Sequence, residues 1–369
     1  MWCFKMRYFI RQRGLTLVEL MISMGLSLVL LLAMTTMFAG QKQTSRSGNA
    51  VADLNETGRI ALDILSQDIR MTSFQGCAPH DADIDEDKDT RAKLVSEARD
   101  ASGNPYPWTG SLLGYETDVA GWETGAGADI TKLADGDNAN GEVIAGTDII
   151  VIEYADSAGR NITAPISPTS NIPVPNDLSK TIPQNGQFLI SDCEEANIVV
   201  RTDDPGSVGG ALKHAGSPLT KSFGTDAVVR KLISNIYFVG PTGRTTASGQ
   251  PINALFVRSD GNNTPTELLA GVDNMQIMYG QPDAAGSGIQ FFEADDSSID
   301  FDLVTHVKIG VLASSGSAVK EKDDEKSYML AGVTVTTEGG GGVATHPKDK
   351  QLRRVFNTTI NIRNRRSEF

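Results

Sequence analysis

Gly14, Leu15 and Glu19 are the residues whose types and spacing suggest chemistry. Cleavage of the peptide bond after Gly14 would create a new α-amine at Leu15. Because Leu15 and Glu19 are four positions apart, the amine and the carboxylate would share one face of a helix. A carboxylate in an apolar segment is costly without a partner, and this amine would supply one, in the same chain or a neighbouring one. The pattern predicts a processing site at Gly14 and an assembly role for Glu19.

An apolar segment, residues 15–39, positions these groups. It contains no Pro, Lys, Arg or Asp, and Glu19 is its single charge. A helix of about 25 residues is roughly 37 Å long, which is enough to cross a bilayer core. Residues 1–14 carry four basic side chains and no acid, so the positive-inside rule places them in the cytoplasm and the rest outside. A simple membrane anchor with an incidental glutamate is the alternative interpretation.

The string RQRGLTLVEL, residues 11–20, resembles the class III signal of type IV prepilins and of type II secretion pseudopilins. The resemblance implies that a membrane peptidase cuts after Gly14 and that Leu15 becomes the N-methylated mature N-terminus. It also implies that Glu19 is the assembly glutamate, which neutralises the amine of an adjacent subunit. One departure is Leu15, where members of this family usually have Phe; cleavage depends mostly on the glycine.

The composition describes an acidic globular protein. The formal net charge of the 369 residues is −13, and loss of the four positive residues in 1–14 would leave about −17. Binding to a phosphate backbone needs a basic patch, so the charge argues against nucleic acid as a direct partner. It suits the soluble surface of an exported domain.

The chain has three cysteines, and Cys3 would be lost with residues 1–14. Cys77 and Cys193 then remain. Because an even number of cysteines in a domain exported to an oxidising compartment usually forms disulfides, they predict one disulfide. Two buried free thiols are the alternative.

The remaining chain divides by its patterns into a second helical stretch and a β-rich region. Val51, Leu54, Gly58, Ala61, Leu65 and Ile69 repeat at helical spacing, which predicts an amphipathic face. The predicted segments are a leader (1–14), a membrane and assembly helix (15–40), an amphipathic helix (41–76), a loop-rich acidic insertion (77–145) and a β-rich domain (146–369).

Strand patterns dominate the last segment, and no crossover-length helices separate them, so the sheet is predicted to be mainly antiparallel. The predicted strands are Asp148–Tyr154, Gln187–Ser191, Ile198–Arg201, Ala227–Val239, Ala254–Arg258, Leu268–Tyr279, Leu303–Ser314 and Arg353–Arg363. The expected fold class is α+β and pilin-like, with a long N-terminal helix packed on a mainly antiparallel, β-rich globular head.

Several strings also resemble one branch of the prepilin family, the type IV pilus minor pilin PilW. They are RIALDILSQDIRMTSFQGC, LISDCEEANIV, VRKLISNIYFVG, ALFVRSDGNNTPTELLAGVDNMQIMYG and LRRVFNTTINIRNR. In that branch the shared cysteine positions correspond to Cys77 and Cys193, so the resemblance also implies the disulfide.

The sequence lacks the motifs of catalysis and of cofactor binding. It has no HExxH, GxSxG or CxxC pattern and no Gly-Lys dipeptide, so we predict no enzyme and no cofactor. Asp81, Asp83 and Asp85 begin like a calcium-binding EF-hand loop. Glu86 replaces the required glycine at position 6 and Ala92 the glutamate at position 12, which favours a solvated acidic loop without metal.

The resemblance implies a structural minor pilin that primes pilus assembly at the tip and supports adhesion and twitching motility. Its partners would be other minor pilins, the major pilin, the prepilin peptidase and a tip adhesin. It would lie in the inner membrane of a Gram-negative bacterium, with its C-terminus in the periplasm, before joining the fibre. Two alternatives remain: a J-like pseudopilin of type II secretion, and a glycan- or receptor-binding module built around Trp108 and Trp122.

Overall fold

The computed structural model describes residues 16–76, 112–118, 121–122, 143–184, 186–192, 194–205, 210–214, 219–246, 249–259, 265–283 and 288–365. The helices in these ranges are α1 (Leu17–Met71) and α2 (Asn176–Thr181). The first strands are β1 (Leu112–Tyr115), β2 (Thr117–Asp118), β3 (Gly121–Trp122), β4 (Ile149–Ala155), β5 (Arg160–Asn161), β6 (Ile172–Pro173), β7 (Gln187–Ser191), β8 (Ala196–Val200), β9 (Ala211–Leu212) and β10 (Val228–Thr245). They are followed by β11 (Pro251–Ser259), β12 (Thr266–Ala270), β13 (Val272–Pro282), β14 (Ile289–Phe292), β15 (His306–Ala318), β16 (Tyr328–Leu330), β17 (Val333–Thr337), β18 (Thr345–His346) and β19 (Gln351–Asn361).

The chain divides into two compact units, Met1–Asn49 and Ala50–Phe369. In the second unit, the helix α1 buries one face made of Ala50, Leu54, Gly58, Ala61, Leu65 and Ile69. The predicted face is therefore right except at its first position. Val51 is 42% exposed, because the preceding residue, Ala50, lies on the buried side.

The larger sheet has the order β1-β4-β10-β11-β12, and β5, β7 and β8 extend it at one end of β10. All its strand pairs are antiparallel, as the absence of crossover helices predicted. The strand β10 is 18 residues long and so pairs with four other strands along its length.

A second antiparallel sheet has the order β14-β13-β15-β19. The main core lies among this sheet, the larger sheet and α1. It includes Leu65 and Ile69 of the helix, Ile150 and Ile152 of β4, and Ile277 and Ile309 of the second sheet. Burial of this apolar surface supplies the main driving force for docking the helix.

Each predicted strand overlaps an observed one, but the single strand predicted over Leu268–Tyr279 is wrong. It is two strands, β12 in the larger sheet and β13 in the second sheet. The chain changes sheets at Gly271, whose φ of 85° favours glycine. Hydrogen bonds hold the change in place: Gly271 N–H donates to the Asn253 carbonyl, and Ser314 N–H donates to the Gly271 carbonyl.

Residues 319–350 connect β15 to β19 and contain the small sheet β16-β17-β18, in which β17 and β18 are parallel. A buried guanidinium ties this connection to the second sheet. Arg353 Nε lies 2.7 Å from the carboxylate of Asp273 in β13, and Arg353 makes two bonds, of 2.8 and 2.9 Å, to Asp349. Burial would lower the pKa of Arg353, but the two carboxylates raise it above its usual value.

The long N-terminal helix and the mostly antiparallel, β-rich head confirm the predicted α+β, pilin-like fold class.

Candidate assembly site on the amino-terminal helix

The first part of α1 is apolar, and its large side chains from Leu17 to Phe38 are exposed. Among the described residues, α1 is the one helix long and apolar enough to cross a bilayer, judged by length and composition. Its hydroxyl groups are satisfied inside the helix. Ser23 donates to the Leu20 carbonyl at 2.9 Å, Ser27 to the Ser23 carbonyl at 2.6 Å and Thr35 to the Leu32 carbonyl at 2.9 Å. These groups therefore need no partner from outside the helix.

Glu19 differs from these hydroxyl groups because no carbonyl can satisfy a carboxylate. It is exposed in the first turn of α1, where the helix dipole favours a negative charge. Thr16 caps this turn: its Oγ1 accepts a hydrogen bond from Glu19 N–H at 3.3 Å. Within the part of the chain that the structure describes, the Glu19 carboxylate forms no ion pair, so its charge is available to a group from another chain.

The other predicted site residues lie outside the described residues. These are Gly14 and Leu15 of the processing site, Cys77 and Cys193 of the disulfide, the calcium candidates Asp81, Asp83 and Asp85, and Trp108. Trp122 belongs to the short strand β3. In the ranges that are described, no group of three or more His, Cys, Asp or Glu side chains is arranged to hold a metal ion.

Asp68, on the last turns of α1, anchors the helix to the larger sheet, and the sequence analysis missed it. Its carboxylate accepts hydrogen bonds from Tyr154 Oη (3.0 Å), Asn235 Nδ2 (2.7 Å) and Tyr237 Oη (2.6 Å). Burial and the nearby Asp68 charge both raise the pKa of the two tyrosines, which therefore stay protonated donors. The sequence around Asp68 does not mark it as an anchor. A charged residue is ordinary on an amphipathic helix, and all three hydrogen-bond donors are distant in sequence.

Two residues that follow β19 close the C-terminal end of α1. The Nδ2 atom of Asn364 donates to the carbonyls of Arg70, Met71 and Thr72, which lack intrahelical partners at a helix end. Arg365 Nε donates to Ser73 Oγ at 2.9 Å.

Arg365 is also buried against a loop of the head. Its Nη1 donates to the carbonyls of Phe301 and Val304, the latter at 2.9 Å. Burial lowers its pKa to about 10, although Asp302 and Asp300 oppose the shift. The string LRRVFNTTINIRNR, singled out by resemblance, thus ends in two residues that fix the C-terminal end of α1.

The described neighbours of the two cysteines lie close together. A Cβ built on Gly76 would lie 3.2 Å from Ser191 Oγ. Phe74 packs against the cluster that includes Leu189 and Ala196, on either side of Cys193 in sequence.

Two family models match the chain. Residues 236–364 match the model described as type IV pilus-assembly protein W, PilW. Residues 10–35 match the prokaryotic N-terminal methylation motif. Comparison with curated proteins and with solved structures finds no significant match.

The apolar helix, the β-rich head and the methylation motif define a pilin-like protein associated with the type IV pilus. Within this class, the C-terminal match confirms the PilW resemblance predicted from the sequence. Both matched families are structural components of pili rather than enzymes. The motif and the apolar helix indicate membrane anchoring and contact with the pilus machinery and other pilins.

Proposed function

We propose that this chain is a structural minor pilin that helps to prime type IV pilus assembly at the pilus tip. The observation that carries the proposal is the Glu19 carboxylate, the one charge in an apolar helical segment whose hydroxyl groups are satisfied internally. A carboxylate inside a bilayer is stabilised by an opposite charge, and the α-amine of a processed neighbouring pilin would supply that charge.

Processing would proceed as the N-terminal motif implies. A prepilin peptidase cuts after Gly14 and methylates Leu15, while the chain lies in the inner membrane of a Gram-negative bacterium with its head in the periplasm. The mature chain then joins other minor pilins and the major pilin. At the tip it would help to display an adhesin, and so support adhesion and twitching motility.

A disulfide between Cys77 and Cys193 would join the end of α1 to the turn between β7 and β8. The proximity of Gly76 and Ser191 supports this pairing, because each lies one or two residues from a cysteine. The bond would hold the helix against the sheet.

The PilW match over residues 236–364 favours the pilus over the type II secretion apparatus. We propose neither the glycan- or receptor-binding module around Trp108 and Trp122 nor a catalytic activity.

Replacing Glu19 with alanine tests the assembly role. We expect normal cleavage, with at least about tenfold less of the variant in sheared fibres, because a charge-assisted hydrogen bond contributes about 1.5–3 kcal/mol. The amounts in membranes and in fibres are measured by immunoblotting.

Glu56→Ala is the matched control, since Glu56 is an exposed glutamate on the same helix in the second unit. It should enter fibres normally. Normal incorporation of Glu19→Ala, together with normal co-purification of other pilins, would contradict the proposed role.

A further inference from the structure

Glu116 and Asp148 form a buried acidic pair that the proposed pilin function does not use. The antiparallel register of β1 and β4 pairs Leu112 with Ile152 and Tyr115 with Ile149. Continued by one residue, this register places Glu116 opposite Asp148. Asp148 is 2% exposed and Glu116 is half-buried.

Backbone amides hold both carboxyl groups in place. Ile277 N–H of β13 donates to Asp148 Oδ2 at 2.6 Å, and Ala294 N–H donates to Glu116 Oε1 at 3.2 Å. The register brings the two carboxyl groups side by side, and because two adjacent buried carboxylates do not both ionise readily, the pair holds one shared proton. Burial, followed by the charge of Glu116, raises the pKa of Asp148 well above its usual value.

The charges around the pair are also negative. Glu293 raises the pKa of both carboxyl groups, and Asp295 raises that of Glu116. Neither member of the pair forms an ion pair with any residue in the described ranges. Buried carboxylates are normally paired with a cation or bound to a metal, so this cluster lacks a positive charge.

The phenol of Tyr279 is a second, independent observation. This side chain is fully buried, and its hydroxyl has no hydrogen-bond partner among the residues that the structure describes. The hydroxyl lies over Gly114, which is two residues before Glu116 and so on the same face of the strand. Burial, followed by the charges of Asp148, Glu116 and Tyr115, raises the pKa of this phenol well above its usual value.

From these groups we propose that Glu116, Asp148 and Tyr279 form a binding site for a hard divalent cation of the calcium type. The three side chains offer oxygen atoms as ligands, and Ca²⁺ accepts six to eight oxygen ligands, including water. The two carboxylates and the phenol make up part of that shell, and water entering beside the half-buried Glu116 would complete it.

Binding would exchange one cation for one proton. The proton shared by Glu116 and Asp148 leaves to solvent, and both groups become carboxylate ligands. The affinity should therefore rise with pH, because a protonated ligand competes with the metal. An occupied site would fasten the end of β1 and the start of β4 to β13 and to the residues that follow β14.

Thermal unfolding of the full chain in detergent, with and without calcium chloride, tests the proposal. We expect the unfolding midpoint to rise with a dissociation constant on the order of 10⁻⁴–10⁻³ M, the range of extracellular calcium modules. Glu116→Gln and Asp148→Asn should each weaken the response at least about tenfold, as expected for the loss of a charged ligand. The exposed Glu338→Gln is the matched control and should leave the response unchanged.

Terbium provides a second measurement that does not depend on folding of the amide variants. Tb³⁺ bound at this site should emit on tyrosine excitation, calcium should displace it, and Tyr279→Phe should lose most of the emission. Emission that is unchanged in Tyr279→Phe would overturn the proposal.

Two further results would overturn it. One is a calcium response that persists in both amide variants, which would place the cation elsewhere. The other is a thermal unfolding midpoint that does not change with calcium and that falls as the pH rises through the raised pKa of the pair. That result would mean that the two carboxyl groups hold only their shared proton.

Discussion

At the scale of single residues, two carboxylates on the same helix have opposite roles. Glu19 lies in the apolar segment with no ion-pair partner among the described residues, whereas Asp68 receives three hydrogen bonds from the larger sheet. The first is suited to a contact between chains, and the second is already used within its own chain.

Asp68→Ala should destabilise the head by about 2–4 kcal/mol, because it leaves Tyr154, Tyr237 and Asn235 without their acceptor. Chemical denaturation of the full chain measures the change. Asp63→Ala is the control: Asp63 is exposed and lies 3.9 Å from Arg59, so its loss should cost less than about 0.5 kcal/mol. Equal effects of the two variants would show that Asp68 is not an anchor.

At the scale of elements, the helix α1 continues without a break through Gly40, Gly48 and Gly58. Gly58 allows α1 to approach β19 closely, because a Cβ at this position would overlap the ring of Phe356. Gly48, in the same helix, has no heavy atom within 4 Å of such a Cβ.

The two glycines make a matched pair of alanine variants. Gly58→Ala should destabilise the head by about 1–2 kcal/mol, because overpacking costs about 1–3 kcal/mol and better helix propensity returns up to about 1 kcal/mol. Gly48→Ala should gain helix propensity without a clash, so it should be neutral or stabilising by up to about 1 kcal/mol. Thermal unfolding followed by circular dichroism distinguishes them, and stabilisation by Gly58→Ala would contradict the packing argument.

The proposed disulfide also belongs to this scale, because it would join α1 to the β7–β8 turn. Cys77→Ser and Cys193→Ser should each cost about 2–5 kcal/mol, and the double variant should cost no more than either one. Non-reducing peptide mapping should find one peptide that contains both cysteines. Two free thiols in that map, or additive losses in the variants, would exclude the bond.

At the scale of the whole molecule, the two compact units correspond to two tasks. Residues 1–49 contain the N-terminal methylation motif and the whole apolar segment, and residues 50–369 contain the head with its PilW match. Within the second unit, the last part of α1 is fixed to the sheets by Asp68, by the main core and by the caps from Asn364 and Arg365.

Mass spectrometry of the protein from its membrane checks the processing step. We expect a mature chain that begins with N-methylated Leu15, and we expect Gly14→Val to remain uncut because the peptidase needs the glycine. Leu15→Phe restores the usual residue of the family and should be processed normally. An intact Met1 on the wild-type protein in fibres would contradict this prediction.

The sequence by itself determined the long helix and the long strands of the two large sheets, because a period of 3.6 or of 2 can be recognised within a short window of residues. It also singled out Glu19, because one charge in an apolar segment is a local feature. It did not identify α2 or the short strands such as β5, β6 and β9. Only the tertiary structure decided the sheet change at Gly271 and the partners of Asp68. Those partners lie 86, 167 and 169 residues away, and a polar contact over such a separation is fixed by how the elements pack.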